Sequence, residues 1–317
     1  MKTRFIVFLL PCIFLSFSCA RSQSYKRERD HMASAQAEED RKKVLDETNQ
    51  FSAPKKRTVI LPVWNDTPLK SNISEDAKEI IKDKLREQGR LNIVEDRHVN
   101  KKSSDLYVDA DKINVAEAVD KGQQWGVSLI IVGKIGKIVV RQKDEDVGFL
   151  RPSVMRASVD LELRMVDVAG AKEVGVGLAS GVAEGSALNV MGMSREDSEE
   201  YRNELINEAA GKAVDSALVS LTKELDRVSW QGRVVKVSGN RIYINAGRAT
   251  GLHVGDILKV LSRGQDIYDP ESGLYLGRTE GKVKGTLEVL EYFGEDGSAT
   301  KLHSGGNFQE SDLVQLY

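Results

Sequence analysis

The sequence predicts an α/β (α+β) fold: a mixed sheet with flanking helices, followed by a small all-β, barrel-like C-terminal domain. Three observations predict it. Between residues 58 and 133, continuous aliphatic and β-branched runs alternate with amphipathic helical segments. Longer segments of period-2 alternation and one long helix follow. From Trp230 onward, short strand-like runs are separated by glycines, a pattern typical of a β-barrel or sandwich.

The first part alternates strands with helices. A continuous apolar run predicts a buried strand at 58–63, and the next helix begins at Ser74 and ends at Gly89. The elements expected after it are a strand, a helix and a strand, at 91–95, 115–125 and 128–133. This order predicts a partly parallel sheet with right-handed crossovers.

Long antiparallel arms are expected next, at 135–140 and 154–168, with a further strand at 174–183. In the second arm apolar residues alternate with charged ones, so one face is buried and one solvated. A helix over 195–227 completes this part, with an apolar stripe of leucines and alanines.

The C-terminal part is predicted to contain short strands joined by turns. The strands lie at 233–237, 241–245, 257–262, 282–290 and 313–317. Gly239-Asn240 and residues 269–273 are turn signals. The resulting division of the chain is a leader at 1–18, a charged tether at 19–56, an α/β domain at 57–228 and a β domain at 230–317.

The N-terminus has the pattern of an export signal. Lys2 and Arg4 precede an almost unbroken apolar run at 5–17. This run is shorter than the roughly 20 residues of a membrane-spanning helix but suits the core of a signal peptide. Ser18 and Cys19 follow it and resemble a bacterial lipobox, in which the cysteine is acylated and becomes the mature N-terminus. An ordinary secretory signal cleaved nearby and an uncleaved anchor are the alternatives.

The two cysteines of the chain, Cys12 and Cys19, both lie in this region. A mature chain that begins at Cys19 therefore has no disulfide, no cysteine-based zinc site and no thiol nucleophile. Two or more acyl chains on Cys19 would form a durable membrane anchor. Ala20 follows in place of the aspartate that retains enterobacterial lipoproteins at the inner membrane. We therefore expect lipid attachment at the periplasmic face of the outer membrane.

No pattern of catalytic or metal-binding residues is found. The four histidines are widely spaced, at His31, His98, His253 and His303. Neither a G-x-S-x-G elbow nor a Walker loop is present. Asp66 and Asp256 are expected to be turn residues. Because the formal net charge is −2, nucleic acid is not the expected partner. The sequence thus predicts a non-enzymatic protein without cofactor or metal.

Two segments are candidate membrane hairpins, which need strands of roughly 9–11 residues with an apolar outward face. The first, at 135–159, carries charges near its tip. The second, at 174–193, is the better candidate, with a turn expected at Gly185-Ser186. Its proposed membrane-facing residues are Val174, Val176, Leu178, Leu188, Val190 and Met193.

Several stretches resemble known families. The segments TVILPVWN, NIVEDR, WGVSLIIVG and LELRMVDV lie at 58–65, 92–97, 125–133 and 161–168. They resemble the CsgG family of curli secretion lipoproteins, and this resemblance covers about residues 58–226. It implies a periplasmic body that assembles as a homo-oligomeric ring under a lipid anchor.

The C-terminal part resembles a different family. The segments GRV, IYINAG, GLHVGDILKV and DPESGLYLG lie at 232–234, 242–247, 251–260 and 269–277. They are similar to the C-terminal domain of FlgT, a flagellar ring-assembly protein. The leading hypothesis is an oligomeric scaffold for envelope assembly or protein export, with an envelope protein as partner. A curli-type secretion pore and a flagellar basal-body component are the alternatives.

Overall fold

The computed structural model describes residues 53–69, 72–94, 102–109, 111–144, 152–188 and 199–317. Residues Pro54–Tyr317 form one compact unit. It combines a mixed sheet and flanking helices with a closed barrel, so the predicted fold class is confirmed. The boundary between two domains stays a prediction. None of the helices in these ranges is both long and apolar enough to cross a membrane.

The elements follow one another in the order expected for an α/β layer joined to a β module. Their bounds are β1 Lys56–Ile60, β2 Trp64–Asn65, α1 Ile73–Glu87, β3 Leu91–Ile93, a 3-10 helix Ser103–Leu106, β4 Tyr107–Asp109, β5 Lys112–Ile113, α2 Val115–Trp125, β6 Leu129–Asp144, β7 Pro152–Asp167, β8 Lys172–Leu188, α3 Glu199–Leu225, β9 Gly232–Ser238, β10 Arg241–Ile244, β11 Ile257–Leu261, β12 Asp266–Tyr268, β13 Tyr275–Arg278, β14 Val283–Phe293, β15 Gly297–Gly305 and β16 Leu313–Leu316.

The sheet has the order β3-β1-β6-β7-β8, and β2 also pairs with β6. β1 is parallel to β3 and to β6, while β7 is antiparallel to both of its neighbours. The crossover through α1 leads from β1 outward to β3, and the crossover through α2 leads back over β1 to β6. Crossovers of one hand that run in opposite directions place their helices on opposite faces of the sheet. Accordingly α1 and α3 pack into one core, and α2 packs into another.

One strand replaces two predicted elements. The expected strand at 128–133 and the expected arm at 135–140 are both parts of β6, so the separation predicted between them was wrong. The pairing of β6 with β7 shifts register between Ile135 and Lys137, which leaves Gly136 as a bulge. A bulge adds one residue without ending the ladder of hydrogen bonds. The strand therefore continues, but the residues after the bulge point to the opposite face from the one that simple alternation would give.

α3 lies unusually close to β8 because both contribute small residues. A Cβ atom on Gly177 would lie 2.5 Å from the carbonyl oxygen of Ala217, and one on Gly181 would lie 1.9 Å from that of Ala209. Gly185 instead faces the side chain of Tyr201, whose hydroxyl oxygen would lie 2.0 Å from an added Cβ atom. The glycines of β8 therefore form a groove for the helix.

The barrel closes in the order β10-β15-β14-β11-β16-β9 around a core that includes Trp230. The predicted turns are confirmed: Gly239 has a φ of +57°, and the Asp269 carboxylate accepts backbone N–H bonds from Glu271 and Ser272. The sequence prediction missed β15, which joins β14 to β10 and thereby closes the barrel.

Candidate assembly interface

The predicted site residues that the structure describes all lie on one strand. Val174, Val176, Leu178 and Leu188 belong to β8, which runs without interruption through Gly185 and Ser186. The predicted turn at that point was therefore wrong. Cys19, Val190 and Met193 lie outside the described residues, as does the charged tether up to residue 52. These remain predictions.

The packing of α3 explains the pattern that had suggested a hairpin. Alternate residues of a strand point to opposite faces, and in β8 one set is almost entirely glycine and alanine. Gly177 and Gly181 face the helix, so their alternation with larger residues serves a contact inside the protein. The glycines therefore make room for a helix and do not break the strand.

β8 forms an open edge of the sheet. It pairs only with β7, and no other described backbone group bonds to its far side. Residues 174–183, VGVGLASGVA, contain neither a charged residue nor a proline. Charges, proline and covering segments are the features with which edge strands usually prevent pairing with another chain. This long, uncharged edge therefore has the properties of a strand that accepts a partner.

Two exposed apolar side chains adjoin this edge on the sheet face opposite α3. Val176 is 40% exposed and Leu178 is 72% exposed. They lie opposite Arg164 and Glu162 of β7. Adjacent exposed apolar groups at an unpaired edge add a hydrophobic contribution to any strand pairing there.

The charged groups beside Val176 and Leu178 form a local network of ion pairs. Arg164 forms ion pairs with Glu162 and with Glu173, the latter at 3.0 Å. Tyr107 donates its hydroxyl hydrogen to Glu162 at 3.1 Å. Burial, together with the negative charge of Glu162, raises the pKa of the Tyr107 hydroxyl, so this donor stays protonated. One guanidinium thus pairs with two carboxylates, and the charged groups beside the apolar pair are held in this local network.

The first predicted hairpin is present as the antiparallel pair β6 and β7. Its inner apolar side chains are buried against α1 and α3, including Met155, Val159 and Leu163. The outer face of β7 instead carries charged residues such as Arg156, which pairs with Glu184 of β8 at 3.3 Å. In the described residues, the apolar face of these strands is buried and the outer face is charged, so neither presents an exposed, continuous apolar band.

Two predicted turn residues have different outcomes. The Asp256 carboxylate accepts the backbone N–H of His253 at 2.7 Å, as expected for a turn. At the end of β2 the turn is made by Asn65 and not by Asp66, because the Asn65 side chain accepts the N–H of Thr67 at 3.1 Å. Asp66 instead forms an ion pair with Lys134 at 3.3 Å.

Asp296 is an important residue that sequence reasoning missed. It lies in the turn between β14 and β15, and its side chain is only 7% exposed. The carboxylate accepts hydrogen bonds from Arg57 of β1 at 2.9 Å and Asn92 of β3 at 2.6 Å. It also accepts the backbone N–H groups of Gly247 and Thr250, and the Thr250 hydroxyl at 2.5 Å. One carboxylate thus joins the sheet to the barrel.

No candidate metal centre is found in the part of the chain that the structure describes. Within those ranges no three histidine, cysteine, aspartate or glutamate side chains lie close enough together to hold a metal ion.

No protein-family model matches the chain, and no curated protein does. Solved structures that match part of it include the hypothetical protein CT253 from Chlamydia trachomatis, at 14% identity over 55% of this chain and 100% of that one, with a TM-score of 0.36. The PelC dodecamer from Paraburkholderia phytofirmans matches at 14% identity over 54% and 89%, with a TM-score of 0.26. The LpoB C-terminal domain from Escherichia coli matches at 12% identity over 41% and 84%, with a TM-score of 0.26.

Proposed function

We propose that this protein is a lipid-anchored, non-enzymatic scaffold of the bacterial envelope whose copies assemble through the open edge of β8. The observation that carries this proposal is the uncharged edge at 174–183, with Val176 and Leu178 exposed beside it. The signal-peptide pattern ahead of Cys19 supports anchoring, and the proposed location is the periplasmic face of the outer membrane.

The resemblance of residues 58–226 to curli secretion lipoproteins, and of 231–317 to the FlgT C-terminal domain, supports a ring-forming envelope role. The burial of the inner strand face under α1 and α3 supports a scaffold over the alternative of a secretion pore. A flagellar basal-body role stays an alternative. In the proposed assembly the barrel is the part that docks an envelope protein.

The proposed ring imposes a geometric condition on the interface. A closed ring needs a heterologous contact, in which β8 of one copy meets a different surface of the next copy. Pairing of β8 with β8 about a two-fold axis would produce a dimer instead. The mass and symmetry of the detergent-extracted particle therefore distinguish these arrangements.

Removal of the anchor tests localisation. In Cys19→Ser we expect the protein to move from the detergent-extracted membrane fraction to the soluble fraction, because each buried acyl methylene contributes about 0.8 kcal/mol to membrane binding. Cys12→Ser is the matched control, since Cys12 lies inside the leader. It is expected to stay in the membrane fraction. An unmodified thiol on the mature wild-type N-terminus, seen by mass spectrometry, would refute lipid anchoring.

Introduction of a charge at the β8 edge tests assembly. We expect Leu178→Lys to convert the detergent-extracted oligomer largely to monomer in mass measurements, because a lysine at a strand edge opposes pairing with another chain. The fold should be kept, since Leu178 is mostly exposed.

Val219→Lys provides the matched control for this experiment. Val219 is also an exposed aliphatic residue, but it lies on α3 and not at the edge strand. Its replacement should leave the particle mass unchanged. An oligomer of unaltered mass in Leu178→Lys would show that copies do not meet through β8.

A further inference from the structure

A cavity of about 290 Å³ lies between α2 and the barrel. Its walls come from the last turns of α2, from the turn after β7 and from the strands and loops of the barrel. Three arginines line it, namely Arg233, Arg263 and Arg278. Because this cavity is separate from the β8 edge, a ligand could bind in it whether or not copies of the protein assemble through that edge.

Two of these arginines share one acidic partner, Asp266. Arg278 is 4% exposed and contacts Asp266 at 2.8 Å, while its other nitrogen donates to the carbonyl of Val168 at 3.4 Å. Arg263 lies 3.5 Å from the same carboxylate and is 45% exposed. A single negative charge therefore faces two guanidinium groups.

Among the residues that the structure describes, Arg233 forms no ion pair with a carboxylate. Its guanidinium donates to the backbone carbonyl of Gln123 at 2.7 Å. Burial lowers the pKa of the Arg233 guanidinium, and the positive charges of Arg57 and Arg263 lower it further. The carbonyl end of α2 supplies only a partial negative charge. A full negative charge in the cavity would offset the free-energy cost of burying the charged Arg233 guanidinium.

One carboxylate also lines the cavity. Asp120 of α2 accepts a hydrogen bond from the Gln124 side chain at 2.8 Å. Together with Asp266, it sets two carboxylates against the three guanidinium groups, so the positive charge around the cavity is in excess.

We infer that this cavity is a binding site for a small anion that carries a phosphate group. Guanidinium groups bind phosphate oxygens through paired N–H donors, and Arg233 and Arg263 both have donor capacity for this role. The volume lies at the lower limit of ligand-binding cavities, which fits a small phosphate-bearing molecule. The net charge of −2 does not attract anions over the whole surface, so the attraction is local.

Titration calorimetry with glucose 6-phosphate on the full-length protein in detergent tests this inference. We expect binding, and a weakening of about 10-fold to 100-fold in Arg233→Gln, the range for loss of a hydrogen bond to a charged group. Arg263→Gln is the second variant. Because the Arg263 side chain is partly exposed, its replacement should leave the fold intact, so weaker binding in this variant would not be due to misfolding. Arg241→Gln, an exposed arginine paired with Glu291 on the barrel, is the control and should bind as the wild type does.

Glucose is the matched probe, because it differs from glucose 6-phosphate in lacking the phosphate group. Glucose 6-phosphate should bind more tightly than glucose, and equal binding of the two would overturn the assignment of the cavity to an anion. An affinity unchanged in both Arg233→Gln and Arg263→Gln would overturn the site itself.

Discussion

Gly181→Val is expected to destabilise the protein by about 3 kcal/mol or more, since it inserts a branched side chain where two elements are in backbone contact. The first added carbon alone would lie 1.9 Å from the Ala209 carbonyl oxygen and 2.4 Å from the Ala213 amide nitrogen. Both atoms belong to the α3 backbone, so no side-chain rotation relieves the overlap. The helix must move away from β8, and the close packing between them is lost. Denaturant unfolding of the full-length chain measures the change.

Two substitutions nearby calibrate this result. Gly211→Ala lies on α3 where an added Cβ atom meets nothing within 4 Å, and it should raise the free energy of unfolding by up to about 1 kcal/mol through helix propensity. Ser180→Val lies next to Gly181 but on the exposed side of β8, and it should change stability little. A Gly181→Val protein as stable as these two would mean that α3 does not lie on the glycine groove.

Asp296→Ala should destabilise the protein by about 3–5 kcal/mol, the range for removing one partner of a buried ion pair. Five hydrogen bonds to the carboxylate are lost, and the half-buried guanidinium of Arg57 loses its ion-pair partner. Arg57 and Asn92 belong to the sheet, while Gly247 and Thr250 belong to the barrel. In Asp296→Ala we therefore expect the sheet and the barrel to be held together less tightly. Hydrogen exchange at the Gly247 and Thr250 amides should accelerate more than exchange in the centre of β6.

The matched control is Glu291→Ala, which removes an acidic residue from a barrel strand. Its ion pair with Arg241 is more than half exposed on both sides, so its loss should cost at most about 1 kcal/mol. Asp296→Asn keeps the shape but loses the charge and should be intermediate. If Asp296→Ala were no more harmful than Glu291→Ala, the carboxylate would not join the two parts as the distances indicate.

The order of the α/β elements was predictable because each one carries its own periodic signal. The helix expected at 115–125 is α2, with the same bounds, and Gly126 ends it in a left-handed conformation. The apolar runs correctly indicated β1 and the buried start of β6. α2 has one apolar face against a core, and the apolar runs of β1 and β6 lie between cores on both faces of the sheet, so local pattern and tertiary packing agree.

β15 was missed because its buried side chains do not look like a core. Ser298, Ala299 and Thr300 are buried in the barrel wall, and Thr300 donates its hydroxyl hydrogen to the carbonyl of Ile242. A small closed barrel needs small side chains at some inward positions. Thr300 is buried because a neighbouring strand supplies an acceptor for its hydroxyl group, and the sequence of β15 alone gives no signal of that acceptor.

The sequence by itself determined the class of the fold, the position of most helices and strands, and the signal-peptide pattern ahead of Cys19, since each is written in the hydrophobicity of adjacent residues. Only the tertiary structure decided what the glycines of β8, the carboxylate of Asp296 and the arginines around the cavity do. A glycine can serve in a turn or make room for a helix. A charged residue can lie in solvent or belong to a buried network of hydrogen bonds. The difference lies in which distant segment packs against them, and that is set by contacts between residues far apart in the chain.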